Sequence, residues 1–147
     1  MIVPVRLGVP ADVPSWVSLA LKVEELFGPM PEIRRAIERG IDRGTALATG
    51  SVGSVTGGML LSRDDRPHSI HWLAVDPNAR QRGLGGALIR AALDRWPTGD
   101  IEVITFAETT VGGAPARTLY ESIGFDLVGP TEHAADGELR DRYVMRR

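Results

Sequence analysis

Apolar residues recur along this chain with two different periods, and the changes of period mark out its elements. Residues 2–7 form a short apolar run that predicts a strand. In "SWVSLALKVEELF" (15–27) the apolar positions fall three and four apart, which predicts a helix with Asp12 as its N-cap and Pro14 in its first turn. Gly28-Pro29-Met30-Pro31 breaks that pattern. "PEIRRAIERGIDR" (31–43) then predicts a second helix, opened by a proline and an acid.

The period shortens in "TALATGSVGSVTGGMLLSR" (45–63), which predicts two strands around a Gly/Ser turn, and "SIHWLAV" (69–75) predicts a third. Helical spacing returns over 84–96 and stops at Pro97 and Gly99. "IEVITFA" (101–107) is rich in β-branched and aromatic residues and predicts a strand. Pro115 opens a last helix whose face carries Ala116, Leu119, Tyr120 and Ile123, with Gly124 at its end. Residues 125–128 and 139–145 close the chain as two strands around a polar loop. The order β-α-α-β-β-β-α-β-α-β-β describes a mixed α/β fold, expected as one domain over residues 1–147.

Composition narrows the function classes. The chain has 147 residues, 43% hydrophobic and 24% charged, enough for a real core. It has no cysteine, which excludes disulfides, thiolate metal sites and a cysteine nucleophile. His68, His71 and His133 are its three histidines, and the "HSIH" pair falls in a strand, so no metal site is expected. A net charge of -2 gives no basis for general nucleic-acid binding. Arg80, Arg82, Arg90 and Arg95 make no continuous basic stripe, since Gln81 and Leu84 interrupt them. No apolar run approaches membrane-spanning length and the start lacks a leader pattern, so no membrane partner and a cytoplasmic location are expected.

The most informative stretch is "HWLAVDPNARQRGLGGALIRAAL" (71–93). A helix N-terminus presents unpaired N–H groups and favours negative charge, and glycines let an anion approach them. Arg80 and Arg82 add charge-assisted donors at the rim. A phosphate or pyrophosphate is the expected ligand group. A P-loop is ruled out because no Lys-Ser/Thr follows the glycines, and a dinucleotide fingerprint because Leu88 stands where its third glycine belongs. Taken alone, the glycines are equally compatible with a plain strand-to-helix turn.

The whole window resolves that ambiguity. Arg80-Gln81-Arg82-Gly83-Leu84-Gly85 resembles the Gln/Arg-x-x-Gly-x-Gly/Ala signature of the GCN5-related N-acetyltransferase (GNAT) family. "ARTLYESIGF", with Ala116, Tyr120, Gly124 and Phe125, is similar to that family's second landmark. The element order matches the family fold from end to end. The resemblance implies acetyl-coenzyme A as donor and cofactor, its pyrophosphate held by Arg80, Gln81, Arg82, Gly83, Leu84, Gly85, Gly86 and Ala87. It also implies that the strand carrying Leu73, Ala74 and Val75 splays from its neighbour and pairs with the pantetheine arm. One position departs from the pattern: Gly113 stands where many relatives have an asparagine near the pantetheine.

Direct attack of a primary amine in a ternary complex is the chemistry this implies, since no cysteine is present to form an acyl-enzyme. Tyr120 matches the family tyrosine that faces the cofactor sulfur and would protonate the departing thiolate; from periodicity alone it is a packing residue. An amide near Leu73 or Ala74 would stabilise the oxyanion. The central strand lacks the glutamate that many relatives use as base. His71 matches a position where arylalkylamine acetyltransferases place an imidazole, and Glu108 could act through a water; a histidine filling a sheet face and a solvated carboxylate are the plainer alternatives. Glu24, Phe27 and Met30 would wall an acidic, apolar pocket for a small cationic amine, or form only a solvated face. A homodimer is compatible with the family. The competing reading is a catalytically weak module of the same fold that binds coenzyme A to regulate a partner.

Overall fold

The computed structural model describes residues 4–23, 31–79, 82–106, 114–130 and 140–147; for 105, 106, 114–116 and 140 it describes the backbone alone. One seven-stranded sheet runs through it. Its strands are β1 (Arg6–Leu7), β2 (Ala46–Thr49), β3 (Gly57–Leu61), β4 (His68–Val75), β5 (Ile101–Phe106), β6 (Asp126–Pro130) and β7 (Arg140–Met145), in the spatial order β1-β2-β3-β4-β5-β7-β6. Every neighbouring pair is antiparallel except β4 with β5. The helices are α1 (Val13–Lys22), α2 (Ile33–Arg43), α3 (Leu84–Arg95) and α4 (Ala114–Ile123), so the element order is the expected one.

Helices cover both faces of the sheet, and the central strands show it in their sequence. All residues of β2 and β3 are buried. Leu47 of β2 and Met59 and Leu61 of β3 pack under α3 and α4 with Leu88, Ile89 and Tyr120. Their neighbours Ala46, Ala48 and Leu60 face the other way, against Trp16 and Leu19 of α1 and Ile37 of α2. A strand covered twice is apolar at nearly every position, which is why "ALAT" and "GGMLL" lack a polar alternation.

Trp16, fully buried, anchors α1 to the sheet. Its indole sits against Gly58, where a Cβ would fall 2.6 Å from Cε2. Truncating such a tryptophan costs about 3–5 kcal/mol.

Asp12 does not cap α1 with its side chain as the sequence suggests. A short 3-10 turn (Pro10–Asp12) precedes the helix and buries the carboxylate. There it accepts two hydrogen bonds from Arg6, at 2.7 and 2.9 Å, and one each from the Val9 and Gly53 amides, at 2.8 and 2.9 Å. A helix-capping residue has been drawn inward to tie β1 and the β2–β3 turn to α1.

Two boundaries also differ from expectation. The first strand is Arg6–Leu7, with residues 1–3 outside the described part, and α1 ends at Lys22 with Val23 as its C-cap, while 24–27 lie outside the described part. Among the described residues no helix is long and apolar enough to cross a membrane.

Candidate active site

The parallel partners β4 and β5 stay together for three residues only. His68, Ser69 and Ile70 pair with Ile101, Glu102 and Val103, and there the ladder stops. β4 continues along β3 to Val75, and β5 continues along β7 to Phe106. The two strands therefore diverge past Ile70 and, among the described residues, leave one edge of 71–75 without a strand partner.

A bulge at His71 accompanies the divergence. Leu61 pairs with Ile70 and Leu60 with Trp72, so His71 is an extra residue with no opposite number. The side chains record the slip. Ile70 packs under α3, whereas Trp72, two residues on, packs on the α1/α2 face. A bulge sharpens strand twist and bends the strand, which turns the end of β4 away from β5.

Beyond the bulge the ladder fixes which backbone groups face the gap. The Asp76 amide donates to the Thr56 carbonyl at 2.8 Å, in the register that pairs Val75 with Gly57. By antiparallel alternation, Trp72 and Ala74 spend their N–H and C=O on β3, and Leu73 and Val75 turn theirs into the gap. Of the two amides expected to serve an oxyanion, only that of Leu73 is available; the Ala74 amide belongs to the β3 ladder.

β4 leads directly to a helix N-terminus. Asp76 shapes the turn: its carboxylate accepts the Asn78 amide at 2.9 Å and the Lys22 ammonium at 2.7 Å, and its carbonyl accepts the Ala79 amide at 2.8 Å. Gly83, at φ 75°, is the N-cap of α3 and carries no capping side chain. The first internal bond of the helix runs from the Ala87 amide to the Gly83 carbonyl, at 3.0 Å. The amides of Leu84, Gly85 and Gly86 therefore have no acceptor within the helix.

The glycines do different jobs. Among the described residues a Cβ on Gly83 would meet nothing within 4 Å, so none of them blocks this side of the helix N-terminus. One on Gly85 would fall 2.8 Å from Leu119 Cδ2, so this glycine serves the approach of α4. One on Gly86 would lie 3.3 Å from Arg90 Nη1. Arg90 thus folds back over the first turn of α3. The sequence reading left this cation out of the anion site, although the four-residue spacing from Gly86 was its signal. Open amides, a face at Gly83 clear of the described residues, exposed Arg82 and Arg90 overhead fit a pyrophosphate, and the free edge of β4 fits an amide-rich arm.

Tyr120 is 4% exposed. Its ring meets Phe125 edge-on at 5.7 Å and Tyr143 at 6.3 Å, and the main chain closes α4 behind it, Gly124 at φ 119°. Burial pushes the phenol well above its ordinary pKa, so it is a proton donor and not a base near neutrality. His71 stands on the bulge with its ring at the surface of a recess. Partial burial lowers its pKa and the Glu102 carboxylate of β5 opposes that, leaving a neutral imidazole at pH 7. Glu102 itself accepts a 2.8 Å bond from Arg142 of β7. Neither Glu102 nor Arg142 was singled out in the sequence; one acid amid the β-branched "IEVITF" was the only sign.

His68 and His71 do not converge. His68 stacks on Trp96 at 4.4 Å, at the far end of α3, whereas His71 faces α2. Glu108, Arg80, Gln81, Gly113, and the expected pocket residues Glu24, Phe27 and Met30 lie outside the described residues.

A mixed sheet whose parallel pair opens over an uncapped, glycine-rich helix N-terminus defines an acyltransferase scaffold. The chain belongs to the acetyltransferase (GNAT) family, whose model matches residues 16–125. It is 32% identical over 105 residues to the N-alpha-acetyltransferase RimI of Mycobacterium tuberculosis, covering 65% of this chain and 64% of that one. It is likewise 32% identical over 105 residues to the L-amino acid N-acetyltransferase AaaT of Escherichia coli, covering 65% and 62%. These matches span less than two thirds of the length of either relative. The crystal structure of a GNAT-family acetyltransferase from Bacillus cereus superposes with a TM-score of 0.79 at 19% identity, covering 100% of this chain and 99% of that one.

Proposed function

We propose that this chain is an acetyl-coenzyme A-dependent N-acetyltransferase that acylates a primary amine by direct attack in a ternary complex. The observation that carries the reading is the divergence of β4 from β5, with Leu73 and Val75 turned into the gap and the N-terminus of α3 at its end.

When bound, acetyl-coenzyme A supplies an activated acetyl group as a thioester. The first-turn amides of α3, with Arg82 and Arg90, hold the pyrophosphate. Val75 and Leu73 offer their backbone to the pantetheine arm. The Leu73 amide, turned into the gap, would donate to a carbonyl oxygen as it gathers negative charge, and a fixed donor lowers the barrier without reorganising. Tyr120 keeps its proton until a thiolate needs it. His71, neutral at pH 7, accepts a proton from the ammonium form of the acceptor. The two named relatives act on amino groups by their descriptions, and this supports an amine acceptor here.

Titration of acetyl-coenzyme A by calorimetry tests the reading, with Gly83→Asp as the control. Asp tolerates the left-handed backbone better than most residues and sets a carboxylate before the first turn of α3. Micromolar binding by the wild type and none by the variant is the expected result. If neither binds, the proposal is wrong.

A further inference from the structure

On the α2 face of the sheet a cavity of about 210 Å³ lies between the C-terminal half of α2 and the β3–β4 hairpin. Its floor is Gly40, Leu60 and Ser62, and its rim carries Arg39, Arg43, Arg63 and Arg66, with His71 at one side. Among the described residues four arginines line it, and no carboxylate does. Arg63 is engaged by Asp65 at 3.0 Å. Among the described residues no acid lies within ion-pair distance of Arg39, Arg43 or Arg66. Asp64, the nearest acid in sequence to Arg63, is turned to Arg95 and Trp96.

Arg39 and Arg43 stand one helical turn apart, so both project from the same side of α2 toward the hairpin that carries Arg66. Like charges gathered around one recess raise its positive potential and favour an anion there. Gly40 lets α2 lie close on the sheet at the floor: a Cβ there would lie 3.1 Å from the Ala46 Cβ and 3.3 Å from Leu60 Cδ2. The volume suits an acidic head group with a short stem, and falls short of the roughly 300 Å³ needed for a whole drug-sized ligand. It is a subsite, open toward something larger.

His71 shows where it opens. It lines this cavity and is also the bulge residue at which β4 leaves β5. We propose that the cavity holds an acidic group of the acceptor, a carboxylate or a phosphate, so that the substrate is an anionic amine whose amino end passes His71 to the gap. This rests on the acetyltransferase reading above and adds the acceptor class. The acidic pocket expected from Glu24, Phe27 and Met30 lies outside the described residues, and the cationic cavity is a separate proposal.

The test uses binding, read without turnover. Inorganic phosphate and succinate are titrated separately into isotope-labelled protein at low salt with saturating coenzyme A, which keeps the α3 N-terminus from competing for the probe. The His71 ring and arginine Nε resonances are followed by NMR. One or both probes should produce saturable shifts at His71 and the rim arginines, weakened at least tenfold in Arg39→Gln/Arg43→Gln and again in Arg66→Gln. All three side chains are exposed, so folding is not at stake. A response to phosphate alone assigns a phosphate ester, and to succinate alone a carboxylate. Coenzyme A binding without any saturable shift from either probe overturns the subsite and leaves the acetyltransferase reading standing. Failure of coenzyme A to bind overturns that reading, and the acceptor assignment with it.

Discussion

Gly85 and Leu119 are in contact across the α3–α4 interface: a Cβ on the glycine would fall 2.8 Å from the leucine's Cδ2. The glycine whose position in the signature suggests a ligand contact is thus occupied by packing, while a Cβ on Gly83, two residues earlier, would meet none of the described residues. The two should separate by mutation. Gly85→Ala presses only on the tip of a half-buried leucine, and a helix gains up to about 1 kcal/mol from Ala over Gly. Its acetyl-coenzyme A affinity, measured by calorimetry, should stay within about threefold of wild type. A loss on the scale of Gly83→Asp would mean that the anion site itself needs the space at Gly85 free.

Tyr120 is at once a core residue and the proposed acid. Removing only its hydroxyl tells the roles apart, because the ring contacts with Phe125 and Tyr143 survive in Tyr120→Phe. Single-turnover measurement should show the acyl-transfer rate down by about 10²-fold or more, the range of a lost general acid. Coenzyme A affinity and thermal stability should barely change. Unchanged turnover would leave the tyrosine a packing residue.

Asp12 ties the stability of the fold to acid. Burial acts to raise its pKa, but the hydrogen bonds from Arg6 and from the Gly53 and Val9 amides outweigh it and hold the carboxyl at about 2. A carboxyl held below its unfolded value stabilises the protein above the unfolded pKa, near 4. That stability is lost as pH falls through the folded value. One pKa unit corresponds to about 1.4 kcal/mol, so the contribution is roughly 2.5 kcal/mol, lost between about pH 4 and pH 2. Urea titrations across that window should show the decline in the wild type and flatten it in Asp12→Asn. That variant leaves Arg6 facing a neutral amide and should be less stable by about 3 kcal/mol at pH 7.

The fold was legible because its signals are local. The helical face Leu119, Tyr120, Ile123 and the turn before Leu84 each need only a short window. What escaped depends on distant partners. Nothing in "SIHWLAV" marks His71 as a bulge, since a strand covered on both faces is apolar at Ile70, Trp72 and Leu73 in any register. The fate of Asp12 turns on Arg6 and on Gly53. Arg39 and Arg66 lie too far apart in the chain for any motif to join them, and the sheet brings them to one cavity.

The same long-range logic makes the pH dependence of the proposed base a test of the site's electrostatics. Partial burial lowers the His71 pKa, and Glu102 pulls it back up. Arg142, 2.8 Å from the Glu102 carboxylate, tempers that pull. A base must be deprotonated to work, so kcat/KM should fall on the acid side with a limb below the ordinary histidine value of about 6.5. His71→Gln should abolish the limb along with most of the rate. Arg142→Gln leaves the Glu102 charge uncompensated, which favours the imidazolium and moves the limb to higher pH. NMR titration of the His71 ring reads the same shift without substrate. A ring that titrates at one pH in the wild type and in Arg142→Gln would break the coupling between β4 and β7, and a rate profile unaltered by His71→Gln would take the imidazole out of the reaction.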